Sequence, residues 1–126
     1  MSQDIVSDAL NQIMNAKKVE KNEVEIKKIS KLLINLFEIM KKNGHIDFRV
    51  EGDEKKKAIV QILKLNECRA IKPRYYVGIS EIEKYLKRYL PSRNFGTIII
   101  STNKGLMSHE EAESNKLGGA LIAYFY

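Results

Sequence analysis

The sequence predicts an α+β protein of two small packed domains, the first with two helices on a short sheet and the second strand-rich with short helices. Three observations carry that reading. Apolar residues recur at three- and four-residue spacings in two stretches of the first half, whereas the remaining apolar runs are short and either alternate or are continuous, as strands do. Turn and capping signals crowd the second half. The chain has 126 residues, 44% of them apolar, enough to fill one compact domain or two small ones sharing an interface.

Taken in order, Ile5, Val6, Ala9, Leu10, Ile13 and Met14 fall on one face of a helix over residues 3–15, with Asp4 near the positive end of its dipole. Glu23 to Lys27 alternates polar and apolar residues as a half-buried strand does. Ser30 caps a second helix whose Leu32, Leu33, Leu36, Phe37, Ile39 and Met40 form a wide apolar face, and Asn43-Gly44 ends it. Two strands follow, His45–Val50 and Ala58–Leu65, joined by the exposed EGDEKKK loop of a hairpin. Helix, strand, helix and hairpin together bury a small core.

The second half is organised differently. Arg69–Val77 reads as one strand, Ser80 with Glu83 forms a capping box that opens a short helix to about Tyr89, and Pro91 stops it. Phe95–Ser101 is a strand whose Ile98-Ile99-Ile100 centre is too apolar to leave one face in water. Ser101-Thr102-Asn103-Lys104-Gly105 interrupts it with turn residues. A second capping box, Ser108 with Glu111, opens a helical turn or two that ends near Gly118-Gly119, and Ala120–Tyr126 is a final strand. The domain boundary is expected around residues 64–70, giving an N-terminal α+β domain over 1–66 and a C-terminal strand-rich domain over 67–126.

The 22 Lys and Arg against 16 Asp and Glu give a net charge of +6, which points to a polyanionic partner. Residues 69–104 hold eight basic groups against Glu81 and Glu83, so this stretch alone carries an excess equal to that of the whole chain. Such a concentration is what an electrostatic footprint for phosphate looks like. Cys68 is the one cysteine, which excludes an internal disulfide framework and a cysteine-based zinc site, and makes a reducing compartment the default. No window approaches the ~18 consecutive apolar residues of a membrane span, so a soluble protein with no membrane contact is expected. MSQDIVSDAL reads as neither a secretory signal nor a transit peptide.

Catalytic chemistry finds no foothold. His45 and His109 lie on different elements without a metal-ligand partner, and Glu110-Glu111 diverge around a helix whose first turn favours acids. There is no Ser-His-Asp order, P-loop or dinucleotide fingerprint, and Cys68 has no activator beyond Arg69. No enzyme activity, cofactor, metal or small-molecule substrate is expected. The STNKG segment reads equally as an ordinary turn or as a contact loop: short hydroxyls and an amide suit base edges and ribose 2′-hydroxyls, Lys104 suits a phosphate, and Gly105 permits close backbone approach. Ser30 and Lys31 stand in the same position, as a helix cap beside water or as an anion contact.

The run LPSRNFGTIIISTNKGLMSHEEAESNKLGGALIAYFY resembles the C-terminal half of small-subunit ribosomal protein eight in its archaeal and eukaryotic form. The shared pattern is a Pro-Ser-Arg and Phe-Gly lead-in, an apolar strand, a Ser-Thr-x-x-Gly loop, a Met before a Glu-Ala helix, then Gly-Gly and an aromatic end. Weaker echoes extend it to nearly full length through Asp8-Ala9-Leu10-Asn11, Ser30-Lys31-Leu32, Asn43-Gly44 and Ile71-Lys72-Pro73-Arg74. The resemblance implies two small α+β domains in tight contact and a structural protein of the ribosome in the cytoplasm. Such a protein binds an irregular stem in the central domain of small-subunit ribosomal RNA, helps its assembly and touches neighbouring ribosomal proteins; some bacterial members also repress their own messenger RNA.

By that resemblance Ser101, Thr102, Asn103, Lys104 and Gly105 inherit the main RNA contact, with secondary contacts around Asn11, Ser30 and Lys31. Arg74 and Arg93 belong to matching motifs, and their phosphate role is inferred from charge. Three positions depart from the family: Asn103 where a serine is usual, Ala120 where many relatives carry a charge, and Lys28 where the helix lead-in often has a proline. The competing reading is a basic protein-interaction module, with Tyr75 and Tyr76 exposed, that contacts an acidic protein.

Overall fold

The computed structural model describes residues 5–72, 74–92 and 95–126. The chain divides into two compact units, with the break between Cys68 and Arg69. It is an α+β protein with two antiparallel sheets.

In the first unit, α1 (Ile5–Lys18) runs three residues beyond the expected end because Ala16 is still buried and Lys17 and Lys18 suit the negative end of the helix dipole. It closes with a Schellman motif, the Lys21 N–H donating to the Ala16 carbonyl at 2.9 Å, with Glu20 at φ 61°. β1 (Glu23–Ile26) leads to α2 (Lys31–Lys42), where Ser30 Oγ accepts the Leu33 N–H at 3.2 Å as the expected cap. The same Schellman arrangement ends α2, with the His45 N–H on the Met40 carbonyl and Gly44 at φ 81°. β2 (Ile46–Glu51) and β3 (Lys57–Ile62) form the hairpin, and the sheet order is β1-β3-β2. Leu10 and Ile13 of α1, Leu33, Leu36 and Phe37 of α2, and Ile26, Ile46 and Val60 of the sheet are all fully buried.

The second unit departs from expectation in three places. The single strand over 69–77 is two short ones, β4 (Cys68–Ala70) and β5 (Tyr76–Val77); Pro73, which has no N–H to give a sheet, stands between them in sequence and lies outside the described residues. The helix start is not capped by Ser80. A 3₁₀ turn, Ile79–Glu81, comes first, and Glu81 Oε1 accepts the Gly78 N–H at 3.2 Å before α3 (Ile82–Tyr89) begins. Leu90 is extended, as a residue before proline should be.

The third departure concerns Gly118-Gly119, which does not end a helix. After β6 (Thr97–Thr102) and β7 (Gly105–Ser108), α4 (His109–Ser114) starts on Ser108 Oγ and ends with Lys116 at φ 55°, the Leu117 N–H donating to the Ala112 carbonyl. The two glycines open β8 (Gly119–Phe125) because a Cβ at either position would run into backbone, the Val77 carbonyl for Gly118 and the Ser101 carbonyl for Gly119. The second sheet follows the order β4-β8-β6-β7, with β5 also on β8. Ile98, Ile99 and Ile100 are fully buried, and Ile82 and Leu86 of α3, Ala112 of α4 and Leu121 of β8 pack in one core with Ile98 and Ile100.

Candidate nucleic-acid interface

STNKG is the end of one strand, a two-residue turn and the start of the next. Thr102 pairs with Gly105 across the hairpin, and Gly105 takes φ 109°, a positive-φ glycine of the kind that closes short hairpin loops. Thr102 Oγ1 locks the turn twice, accepting the Lys104 N–H at 3.1 Å and donating to the Gly105 carbonyl at 3.0 Å. With the backbone so occupied, Asn103, Lys104 and Gly105 stand exposed at the tip and Ser101 and Thr102 are half-buried at its base. Open space lies beside the Gly105 Cα. The segment is a tight turn whose tip exposes an amide and an ammonium beside the open space at Gly105.

The register adds a residue. Leu106, Ser101, Ala120 and Tyr76 are successive partners across β7, β6, β8 and β5, so their side chains share one face of the sheet. Tyr76 is 83% exposed, and two strand spacings of about 4.8 Å separate it from Ser101. Tyr75, expected to be exposed beside it, is instead half-buried and packs on Tyr85 with ring centroids 5.6 Å apart.

The sequence does not pair Tyr76 with Ser101, because the link runs through β5 and β8, and the short β5 hides inside what reads as one long strand. An antiparallel alignment of Tyr76-Val77 against Ala120-Gly119 is the signal that could have found it.

In the first unit, Asn11 is exposed on α1, Ser30 caps α2 and Lys31 is the exposed first residue of that helix. Asn11 lines one surface cleft and Ser30 and Lys31 line a second, and Lys27 and Lys28 contribute to both. The three predicted residues therefore share one continuous face of their unit. Arg74 is exposed before β5, and Arg93 lies outside the described residues.

The basic stretch 69–104 is spread over several elements. Lys104 is at the hairpin tip, whereas Lys84 and Arg88 belong to α3, where Lys84 lies over the Tyr85 ring at 5.8 Å and Arg88 over Tyr75 and Tyr89 at 5.7 and 5.6 Å.

The titratable groups weighed earlier have structural surroundings. His109 is buried and its Nδ1 accepts the Ile98 N–H at 3.1 Å, with burial holding its pKa below the ordinary value. His45 Nδ1 donates to the Lys64 carbonyl at 2.6 Å, and Glu111 gives its N–H to the Ser108 cap. Among the described residues no group of three or more His, Cys, Asp or Glu is placed to hold a metal ion, and no helix is long and apolar enough to cross a membrane.

Comparison with known proteins agrees over the whole chain. Small ribosomal subunit protein uS8 of Nanoarchaeum equitans is 45% identical over 129 residues, covering 100% of both chains, and that of Archaeoglobus fulgidus is 45% identical over the same span and coverage. The Neurospora crassa protein of the same name is 40% identical over 125 residues, covering 97% of this chain and 96% of its own. The family model for Ribosomal protein S8 matches residues 4–126, and the chain therefore belongs to the ribosomal protein S8 family.

Proposed function

We propose that this chain is a structural protein of the small ribosomal subunit in the cytoplasm, without catalytic activity. It grips an irregular stem in the central domain of small-subunit ribosomal RNA, helps that RNA assemble and touches neighbouring small-subunit proteins. The observation that carries the reading is the pre-formed β6–β7 tip. Thr102 satisfies the turn internally, leaving Asn103, Lys104 and the bare Gly105 backbone facing outward on a rigid hairpin. RNA minor grooves are wide and shallow and display 2′-hydroxyls and base edges, which a narrow polar tip can enter. Ser101 and Thr102 at its base, with Asn103, supply hydrogen-bonding groups, and Lys104 meets a phosphate.

Asn11, Ser30 and Lys31 form the secondary contact on the first unit, and Arg74 and Arg93 add phosphate contacts. The strand-rich C-terminal domain is the principal RNA-binding one. Ala120 lies next to Ser101 in register, so the charge that many relatives carry there is absent beside the tip, and Tyr76 is the exposed group on that row.

The test is affinity at about 150 mM salt for a central-domain rRNA fragment beside an unrelated RNA duplex of equal length. A preference of roughly a hundredfold or more, in the usual range for specific over non-specific sites, is the expected result. Equal weak binding would reduce the chain to an electrostatic patch and remove the hairpin from the site.

A further inference from the structure

The sheet of the first unit has two edges, β1 and β2, with β3 between them. Its register fixes which backbone groups each edge turns outward. The Ile62 N–H donates to the Asn22 carbonyl at 2.7 Å, and the Leu63 N–H donates to the His45 carbonyl at 3.0 Å. Bonded and non-bonded pairs alternate along an antiparallel ladder, and on β3 Gln61 faces Glu23, Ile59 faces Glu25 and Val60 faces Phe48. Counting from the two bonded pairs, Glu23 and Glu25 of β1 and Phe48 of β2 hold their own N–H and C=O groups away from β3. On β2 the outward Phe48 N–H is already occupied, donating to Asp47 Oδ1 at 2.8 Å. On β1 the outward groups of Glu23 and Glu25 have no hydrogen-bond partner among the described residues. An open edge of this kind is a template for another strand.

The open edge also borders a groove. Asp8, Gln12 and Asn15 recur at helical spacing as one exposed stripe of α1, continued by Val19, which is 65% exposed. Two clefts lie between this stripe and β1, and they share Gln12, Asn15 and Glu25, so they run together along the strand. A helix wall beside a strand edge is the arrangement in which extended peptides are recognised by strand addition. The groove carries the acids Asp8, Glu23 and Glu25 against Lys21, Lys27 and Lys28, so a chain of net charge +6 has no positive excess here. The three lysines precede and follow β1 in sequence, whereas Glu23 and Glu25 stand on the strand with their side chains on one face. Glu25 meets Lys57 at 3.4 Å but keeps 42% of its side chain exposed.

We propose that the β1 edge takes up an extended basic segment of a neighbouring protein as a fourth, antiparallel strand, with Lys or Arg at two positions opposite Glu23 and Glu25. It deepens the reading that the chain touches neighbouring small-subunit proteins, and rests on that reading for the source of the segment. In an antiparallel pair a residue facing Glu23 exchanges both backbone bonds with it, and the residue two along does the same with Glu25. Facing residues project their side chains on the same side of the sheet, and opposite charges directly across a ladder stabilise it. Side chains between them turn the other way, where Gln12 and Asn15 offer both donors and acceptors. RNA suits this groove poorly. Its phosphodiester backbone has no N–H to give the outward carbonyls, and its charge would meet the carboxylates of Glu23 and Glu25.

The experiment titrates the full chain against a labelled peptide, acetyl-Thr-Val-Arg-Val-Lys-Val-Thr-amide, by fluorescence anisotropy. The expected result is saturable binding, with slowed hydrogen exchange at the Glu23 and Glu25 amides. The same peptide N-methylated at its Arg and Lys amides, or with Glu at both of those positions, should bind at least about tenfold more weakly. Glu23→Pro removes one outward N–H at the first residue of the strand, where proline is tolerated, and should cost about tenfold. Glu23→Gln keeps the backbone and should lose less. Neither change should alter affinity for the central-domain RNA fragment. Absence of peptide binding, equal binding by Glu23→Pro and wild type, or displacement of the peptide by the unrelated RNA duplex overturns the proposal. If Glu23→Pro unfolds by circular dichroism, Gln12→Trp fills the groove from the exposed helix face, and unchanged peptide binding by that variant overturns it equally. A chain that prefers the RNA fragment but ignores the peptide loses the groove alone. One that binds the peptide without preferring the fragment loses the ribosomal RNA reading and keeps the groove.

Discussion

The Gly119 backbone lies so close to the Ser101 carbonyl that a Cβ at residue 119 would overlap that oxygen. The contact joins the glycine pair to the base of the hairpin, so packing and site geometry meet at one point. Because the obstructing atom is backbone on a central strand, relief requires β6 and β8 to separate. Gly119→Ala should destabilise the chain by on the order of 2–3 kcal/mol as overpacking, read as a lower urea midpoint. Gly105→Ala is the contrast. Its Cβ would meet open space and its cost comes from φ 109° alone, about 1 kcal/mol. Equal midpoints for the two variants would contradict the crowding argument.

Ser101 and Thr102 carry adjacent hydroxyls with different duties. Thr102 Oγ1 is bonded on both sides within the turn, whereas Ser101 Oγ has no hydrogen-bond partner among the described residues. Ser101→Ala should therefore leave stability unchanged and weaken specific RNA binding by on the order of 1 kcal/mol, the worth of one hydrogen bond. Thr102→Ala should loosen the turn as well, while Thr102→Ser restores it. Parallel melting curves and filter-binding titrations separate the two effects. Identical affinity for Ser101→Ala and wild type would place that hydroxyl outside the interface.

How much of this was legible in the sequence depended on whether the signal was local. The amphipathic stripes of α1 and α2, the Ser30 and Ser108 caps and the triple-isoleucine strand are written in neighbouring residues, and each matches its place in the fold. What could not be read was set by partners distant in sequence. Gly118-Gly119 resembles a helix end, yet the demand for glycine comes from Val77 and Ser101, while Lys116 at φ 55° ends α4 without a glycine. The tip residues were legible through the family pattern, but their status as a closed hairpin depended on β7, whose Leu106 and Met107 gave no clear alternation. Summed charge drew attention to residues 69–104.

His109 imposes a pH dependence. It is 3% exposed, and its Nδ1 accepts from the Ile98 backbone, which requires the neutral ring with its proton on Nε2. Burial lowers its pKa below 6.5, against the opposing pull of Glu110 and Glu113. With the folded value depressed, the stabilisation is complete above about pH 6.5. As pH falls below that, the unfolded chain takes up a proton that the folded chain resists, and stability is lost down to the folded pKa. Unfolding free energies measured from pH 7.5 to 5 should fall more steeply for wild type than for His109→Gln. Equal slopes would mean that His109 titrates normally in the fold.

Tyr76 provides the last test, because it separates a stacking contact from a merely basic surface. Its ring shares a row with Ser101 and is 83% exposed, an arrangement that isolated packing does not favour for a large aromatic side chain. Placed two strand spacings from the hairpin base, it can reach a base or ribose of a nucleotide held at the tip. Stacking on an aromatic side chain is worth about 1–3 kcal/mol per base, so Tyr76→Ala should weaken binding to the central-domain fragment by that amount, roughly 5- to 150-fold. Tyr76→Phe keeps the ring and should retain most of the affinity, and neither change should alter the salt slope, since no charge is removed. Loss in Tyr76→Phe equal to that in Tyr76→Ala would assign the contact to the hydroxyl. No loss in either would leave the sheet face outside the interface and confine recognition to the turn.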